Sequence, residues 1–268
     1  MRAIVASFLL AGLAAAGEGV WVDLQQGIEA YQKGDLARAE PLLRAASADP
    51  RVQDARYYLG MVRLRSGDAK SGCALLLEVP EDAPTFAYAR RELGMRARAS
   101  GDFEAACKHL EAAAKARPSL DTLVELGRAQ LDAKRFDAAE ATLKRAEELS
   151  RGNVDVFEAQ ARLYLETTRP KEALERFEGI AKVLPSDASA RFGKAVCLEL
   201  LGRRREAVAE LEALLEKDPA HVGAIERLIA LYGDDRERAE AKEALRKRLD
   251  RLRKNPPKAA PPPAAAQG

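Results

Sequence analysis

The chain has 268 residues, with 44 Lys and Arg against 42 Asp and Glu; 32% of its side chains are charged and only 5% are aromatic. That length holds one or two domains, but so few aromatics beside so much Ala, Leu, Glu, Lys and Arg predict thin helical layers rather than one broad core. A formal net charge of +2 supplies no one-signed field, so bulk electrostatic attraction to nucleic acid or to an anionic membrane is excluded as the basis of function.

The chain opens MRAIVASFLLAGLAAAGEG: one basic residue, Arg2, then an uncharged run from Ile4 to the small residues Ala14, Ala15 and Ala16. A basic start, a short apolar stretch and an A-x-A end predict a secretory signal peptide over residues 1–16, cleaved near Ala16. The run is shorter than the roughly 20 residues a bilayer-spanning helix needs, so no integral span is expected after cleavage; an uncleaved anchor is the alternative. No cysteine follows the run to carry a lipid. The expected location is outside the cytoplasm, periplasmic or secreted.

From there the chain repeats itself. Gly34-Asp35, Gly67-Asp68 and Gly101-Asp102 are 33 and 34 residues apart, and a second glycine precedes each by seven residues, at Gly27, Gly60 and Gly94. Gly127 continues the series with Lys134 in the turn position, and Ala161/Ala195, Ala173/Ala207 and Pro185/Pro219 are each 34 apart. The copy from Ala87 to Pro118 shows what the residue types do. Gly94 lies on a first helix where a partner must approach closely, Gly101 permits a turn, and Asp102 is placed to cap the next helix. Ala106, Leu110 and Ala113 then form one stripe at spacings of four and three, and Pro118 stops the helix. One such hairpin cannot bury its own apolar face, which is why the phrase recurs.

The phrases GDFEAACKHLEAAAKARP, KRFDAAEATLKRA, RPKEALERFEGIAKVLP and GRRREAVAELEALLEKDP resemble the tetratricopeptide repeat over about Val20 to Pro219. The resemblance implies an all-α solenoid over residues 17–254, with units near 20–52, 53–86, 87–119, 120–153, 154–187 and 188–221 and capping helices over 222–254. The second unit departs from the pattern. It has Gly72 where the others carry Ala39, Ala106, Ala139, Ala173 and Ala207, and VPEDAP follows at once. Pro80 and Pro84 predict a shortened second helix and an irregular join between Val79 and Phe86. Residues 255–268, rich in Pro and Ala, are expected to be an extended or disordered spacer.

Little in the chain points to catalysis. Its two histidines, His109 and His221, are more than three repeats apart, and a solenoid repeat touches only its neighbours, so they cannot share a site within one chain. Cys107 and His109 lie two apart on a helix and do not face each other. No phosphate-binding glycine loop or serine nucleophile motif occurs. No enzymatic activity, metal or cofactor is expected. Cys73 and Cys107, one repeat apart, are expected about 10 Å from each other, beyond disulfide reach, so they and Cys197 are expected to be free, mostly buried thiols, a strained bridge between the first two being the alternative.

In tetratricopeptide arrays the first helices line a peptide-binding groove. Carried onto this sequence, the resemblance gives Leu24, Ile28 and Tyr31, then Tyr57, Met61 and Leu64, then Arg91, Met95 and Arg98, and finally Arg128 and Arg162. Tyr supplies contact area and Arg takes a carboxylate in two-pronged fashion. A second role fits the same residues: Tyr31, Met61 and Leu64 pack between hairpins, and the arginines pair with Glu92, Glu125, Asp132, Glu158 and Glu166. The asparagine-based carboxylate clamp of chaperone-type members is absent, since Asn153 and Asn255 fall at a junction and in the tail. The expected function is a non-catalytic interaction scaffold or adaptor of the bacterial cell envelope, holding a protein or peptide partner and no nucleic acid. The alternatives are a self-assembling structural solenoid, for which a homo-oligomer is compatible with the sequence, and a holdase-type chaperone.

Overall fold

Each repeat begins and ends on the chemistry of its short turn. In the computed structural model, which describes residues 18–233 and 235–255, three residues separate the two helices of each of the first six hairpins. The expected signal peptide over residues 1–16 and the tail beyond Asn255 lie outside the described residues. Gly34, Gly67 and Gly101 sit in the left-handed region, with φ of 79, 88 and 82°, a conformation open to glycine at no steric penalty. Asp35, Asp68 and Asp102 follow, and their carboxylates accept hydrogen bonds from the backbone N–H of Arg38, Ser71 and Ala105 at 3.0 to 3.1 Å. Each satisfies a donor that the new helix leaves unpaired.

The last three of these hairpins solve the turn differently. Lys134 and Thr168 take the glycine's place with φ of 60 and 56°, and Gly202 restores glycine at 74°. Arg169 and Arg203 stand at the cap position, where they offer no acceptor to the helix; instead Arg169 reaches Glu172 at 3.0 Å and Arg203 grips Glu206 through two hydrogen bonds of 2.7 and 2.8 Å.

The helices are α1 (Glu18–Gln32), α2 (Leu36–Ser47), α3 (Asp54–Arg65), α4 (Ala69–Leu77), α5 (Phe86–Ala99), α6 (Phe103–Ala116), α7 (Leu120–Asp132), α8 (Phe136–Leu149), α9 (Val154–Glu166), α10 (Pro170–Val183), α11 (Ala188–Leu200), α12 (Arg204–Lys217), α13 (Val222–Tyr232) and α14 (Ala239–Lys254). A 3-10 turn, Arg236–Arg238, precedes α14, and no strand occurs among the described residues. The chain is an all-α solenoid of helical hairpins. The described residues divide into two compact units, one running to Leu149 with α1 to α8 and one starting at Ser150 with α9 to α14.

Within a hairpin, a small residue on one helix receives a leucine from the other. Leu43, Leu76, Leu110, Leu143 and Leu211 are all fully buried, and so are the second-helix alanines Ala39, Ala106, Ala139, Ala173 and Ala207. Burying one such leucine contributes roughly 1.5–3 kcal/mol, so the repeating leucine carries much of each hairpin's stability. In the second repeat the crossing is tighter still: a Cβ on Gly72 would lie 2.9 Å from the Gly60 carbonyl oxygen and 2.6 Å from Leu64 Cγ. Gly72 therefore stands where the other repeats have alanine because backbone approaches backbone there. Helix α4 has nine residues, against twelve to fourteen for the other second helices of the six hairpins, and an irregular segment runs from Glu78 to Thr85. It is held by Asp54, which accepts from Thr85 N at 3.2 Å and Thr85 Oγ1 at 2.8 Å.

A candidate protein-interaction surface on the first helices

Four of the chain's six tyrosines lie on α1, α3 and α5, and their rings meet. Tyr31 and Tyr58 are 6.2 Å apart and edge-on, Tyr58 and Tyr57 are 5.1 Å apart and edge-on, and Tyr57 and Tyr88 are 6.3 Å apart and tilted. An arginine closes each end of this ladder: Arg65 lies 5.0 Å over Tyr31, and Arg117 lies 5.4 Å over Tyr88 while donating to its hydroxyl at 2.8 Å. Burial pushes the Tyr58 phenol up to about 12 and the Tyr57 phenol higher still, helped by neighbouring phenols. Both stay neutral at any ordinary pH, which suits them to contact through ring faces and edges and through uncharged hydroxyls.

The arginines that follow are already engaged. Arg91 pairs with Asp121 at 3.3 Å, Arg98 with Asp132 at 2.6 Å and with Glu125 at 3.1 Å, and Arg128 with the same Glu125 at 3.0 Å. The carboxylates of Glu125 and Asp132 are mostly covered, at 17 and 13% exposure, so these pairs are partly withdrawn from solvent screening. Arg162 lies in the C-terminal unit, on α9, and pairs with Glu166 at 2.7 Å. Of the carboxylates named as pairing partners, Glu125, Asp132 and Glu166 take these arginines, while Glu92 pairs with Arg96.

The apolar members of the expected groove separate into two sets. Leu24, Ile28 and Leu64 are core side chains, 3, 5 and 8% exposed, and offer a partner no surface; their role is packing, a correction to the groove reading. Tyr31, Tyr57 and Met61 are half-buried, and Met95 is 41% exposed. Sequence reasoning missed Tyr58, Tyr88, Arg65 and Arg117. The signal was present in the crowding of tyrosines onto the first three first-helices, but fixed groove positions carried over from repeat to repeat pass over Tyr58 and Tyr88.

Among the described residues no group of three or more His, Cys, Asp and Glu is placed to hold a metal ion. His221 is the cap of α13, its Nδ1 accepting from Ala224 N at 3.1 Å, and its ring lies 5.0 Å from that of Phe192. His109 is half-buried, and desolvation together with Arg90 and Lys108 holds its pKa below the usual value. All three cysteines are free thiols; burial raises Cys107 and pushes Cys197 up to about 11, so neither is a ready thiolate at neutral pH. Asn153, like His221, is a cap, accepting from Val156 N at 3.1 Å. No described helix is long and apolar enough to cross a membrane.

Comparison with known proteins agrees with this architecture. A family model described as tetratricopeptide repeat matches residues 24–85, 91–154 and 158–222. A tetratricopeptide repeat protein from Parabacteroides merdae shares the fold with a TM-score of 0.60 at 18% identity, over 87% of this chain and 98% of that one. The MamA protein of Desulfovibrio magneticus gives 0.54 at 15% identity, over 63% of this chain and 93% of that one. A stretch of 99 residues, 37% of this chain, is 31% identical to trafficking protein particle complex subunit 12 of Mus musculus, but covers only 12% of that relative's length. Proteins built from these repeats are generally protein-interaction scaffolds. With three matched segments running through most of its length, this chain belongs to the tetratricopeptide repeat family.

Proposed function

We propose that the protein is a non-catalytic scaffold of the bacterial cell envelope, exported by its N-terminal segment, which holds a peptide or helix of a partner protein on the first-helix face of its N-terminal unit. The observation that carries this reading is the tyrosine ladder. Large, uncharged, pre-packed aromatic side chains present contact area at little cost in side-chain entropy, and aromatic residues are the usual anchors of protein interfaces. Tyr31, Tyr57, Tyr58 and Tyr88 are held by one another and by Arg65 and Arg117, with Met61 and the exposed Met95 on the same first helices. Met suits such a face because its flexible thioether adapts to the partner.

The ion-paired arginines refine the carboxylate-binding idea. Arg98 and Arg128 share Glu125, so a peptide carboxylate would first have to displace a partly covered internal partner. Arg91, whose partner Asp121 is 76% exposed, is the arginine most readily turned toward a ligand.

The test is affinity capture from the envelope fraction of the host with the mature chain, beside a Tyr57→Ala, Tyr88→Ala variant whose helical circular dichroism matches the parent. A partner held by the parent and lost by the variant supports the tyrosine face; a partner held equally by both removes it. Intact mass of the exported protein tests the address: a chain beginning at Gly17 is expected, and one retaining Met1 in the cytoplasm overturns export.

A further inference from the structure

The connection from α13 to α14 is twice as long as the turns of the other hairpins: residues 233–238 separate the two helices. Beside it lies an open cleft of about 980 Å³, walled by α12, α13 and α14. Its floor is aliphatic. Leu215 from α12 and Leu228 from α13 are buried, and Leu245 and Leu252, seven residues apart and so on one face of α14, are half-buried beside them.

The rim of the cleft is cationic on the α14 side. Helix α14 carries seven Lys and Arg against three Asp and Glu, a local excess hidden by the near-neutral whole chain. Arg248 lines the cleft, is half-buried, and makes no ion pair among the described residues. Arg251, also at the cleft, donates through Nε only to the Lys247 carbonyl, at 3.3 Å. On the opposite wall Glu212 is already engaged, accepting from Tyr232 Oη at 2.7 Å and from Arg238 at 2.8 Å, which leaves the exposed Glu216 as the only other acid lining the cleft among the described residues. A guanidinium partly withdrawn from water and lacking a carboxylate gains most when a ligand supplies one, because the desolvation has already been met in folding.

We propose that this cleft docks an acidic, Leu- or Ile-bearing peptide segment of a partner protein, its aliphatic side chain resting on Leu228, Leu245 and Leu252 and its carboxylates facing Arg248 and Arg251. The site belongs to the C-terminal unit and owes nothing to the tyrosine face.

Fluorescence anisotropy on the full chain tests it, with a labelled short peptide of Leu, Ile, Asp and Glu and a control in which every acid is Lys. The acidic peptide is expected to bind saturably, more weakly as salt is raised, and the lysine control not to bind. Arg248→Gln, Arg251→Gln should weaken binding about tenfold, equivalent to the loss of about 1.4 kcal/mol, and Leu252→Lys should do the same through the floor, with helical content unchanged in both. Absent saturation, equal binding of the lysine control, or indifference to both variants overturns the proposal. So does binding that appears only after removal of residues 256–268, which would make the tail the occupant, or a dimer in light scattering that the double variant dissolves, which would make it a second copy.

Discussion

A Cβ placed on Gly94 would lie 2.5 Å from Cγ of Leu110, closer than carbon atoms approach in any relaxed structure. The same meeting recurs at Gly27 with Leu43 and Gly127 with Leu143, at 2.7 and 2.8 Å. Glycine is kept on these first helices, at a cost in helix propensity of about 1 kcal/mol, because the leucine of the second helix fills the space a side chain would need. Gly94→Ala is therefore expected to destabilise the protein by about 1–3 kcal/mol despite alanine's better helix propensity. Leu110→Ala should cost about 2–5 kcal/mol alone, and the double variant should cost less than the two together, since the small leucine substitute makes room for the new methyl. Urea unfolding of the four proteins measures the coupling; simple additivity would mean that Gly94 and Leu110 do not compete for one volume.

At Lys134 and Thr168 the turn geometry is glycine's but the residue is not. A side chain in the left-handed region costs about 1–2 kcal/mol, more for the β-branched threonine. Replacing either by glycine should raise stability by roughly 0.5–1 kcal/mol after allowing for glycine's greater freedom in the unfolded chain, with Thr168→Gly the larger gain. The reverse change, Gly101→Ala, should lose a similar amount. A fall in the urea midpoint for Thr168→Gly would show that the threonine, whose neighbour Thr167 bonds back to the Leu163 carbonyl at 2.8 Å, holds the turn by something glycine cannot replace.

Much of this was legible because the repeat is a local physical statement. The turn glycines, the aspartate caps and the close-approach glycines each do their work within a few residues, so spacing alone predicted a helical hairpin, and the two prolines after α4 predicted its early end. The surface was less legible for the opposite reason. Whether Tyr58 meets Tyr31 and Tyr57 meets Tyr88, or Arg98 reaches Asp132, depends on how one first helix sits against the next, 27 to 34 residues away in sequence. Leu24, Ile28 and Leu64 occupy groove positions in the repeat pattern yet are buried, because the pattern gives the face of the helix and not how far the neighbour covers it. The cationic excess of α14 escaped a charge count made over the whole chain.

Asp54 gives a pH signature. Its carboxyl is held above the usual value, chiefly by desolvation, against the opposing hydrogen bonds from Thr85. A group whose folded pKa is raised contributes its stability in full below the unfolded value, near 4, and loses it as pH rises through the folded value. Asp54→Asn keeps an acceptor for Thr85 and cannot ionise. The stability of the variant relative to the parent should therefore increase as pH is raised from about 4 toward neutrality, then level off once the parent's carboxyl is fully ionised. Unfolding curves for both proteins across that range provide the comparison, and a difference that stays flat with pH would remove desolvation of Asp54 from the account.

Arg98 bridges two helices, on α5 itself and reaching Glu125 and Asp132 on α7, and both acids are mostly covered. Removing a cation from such a site leaves carboxylates partly buried with less compensation, which costs more than the pair's own net worth. Arg98→Ala should destabilise the N-terminal unit by about 1–3 kcal/mol, and Arg98→Lys should recover only part, since a single ammonium cannot match the spread guanidinium that reaches two acids. Because Arg128 also holds Glu125, at 3.0 Å, that acid keeps a cation when Arg98 is lost, so Glu125→Gln in the Arg98→Ala background is expected to restore only a small part of the lost stability. Hydrogen exchange at the α5 and α7 amides is the measurement. Full rescue by Glu125→Gln would mean that Arg128 does not shield Glu125, and the ion pairs of this face would then be independent contacts rather than one network.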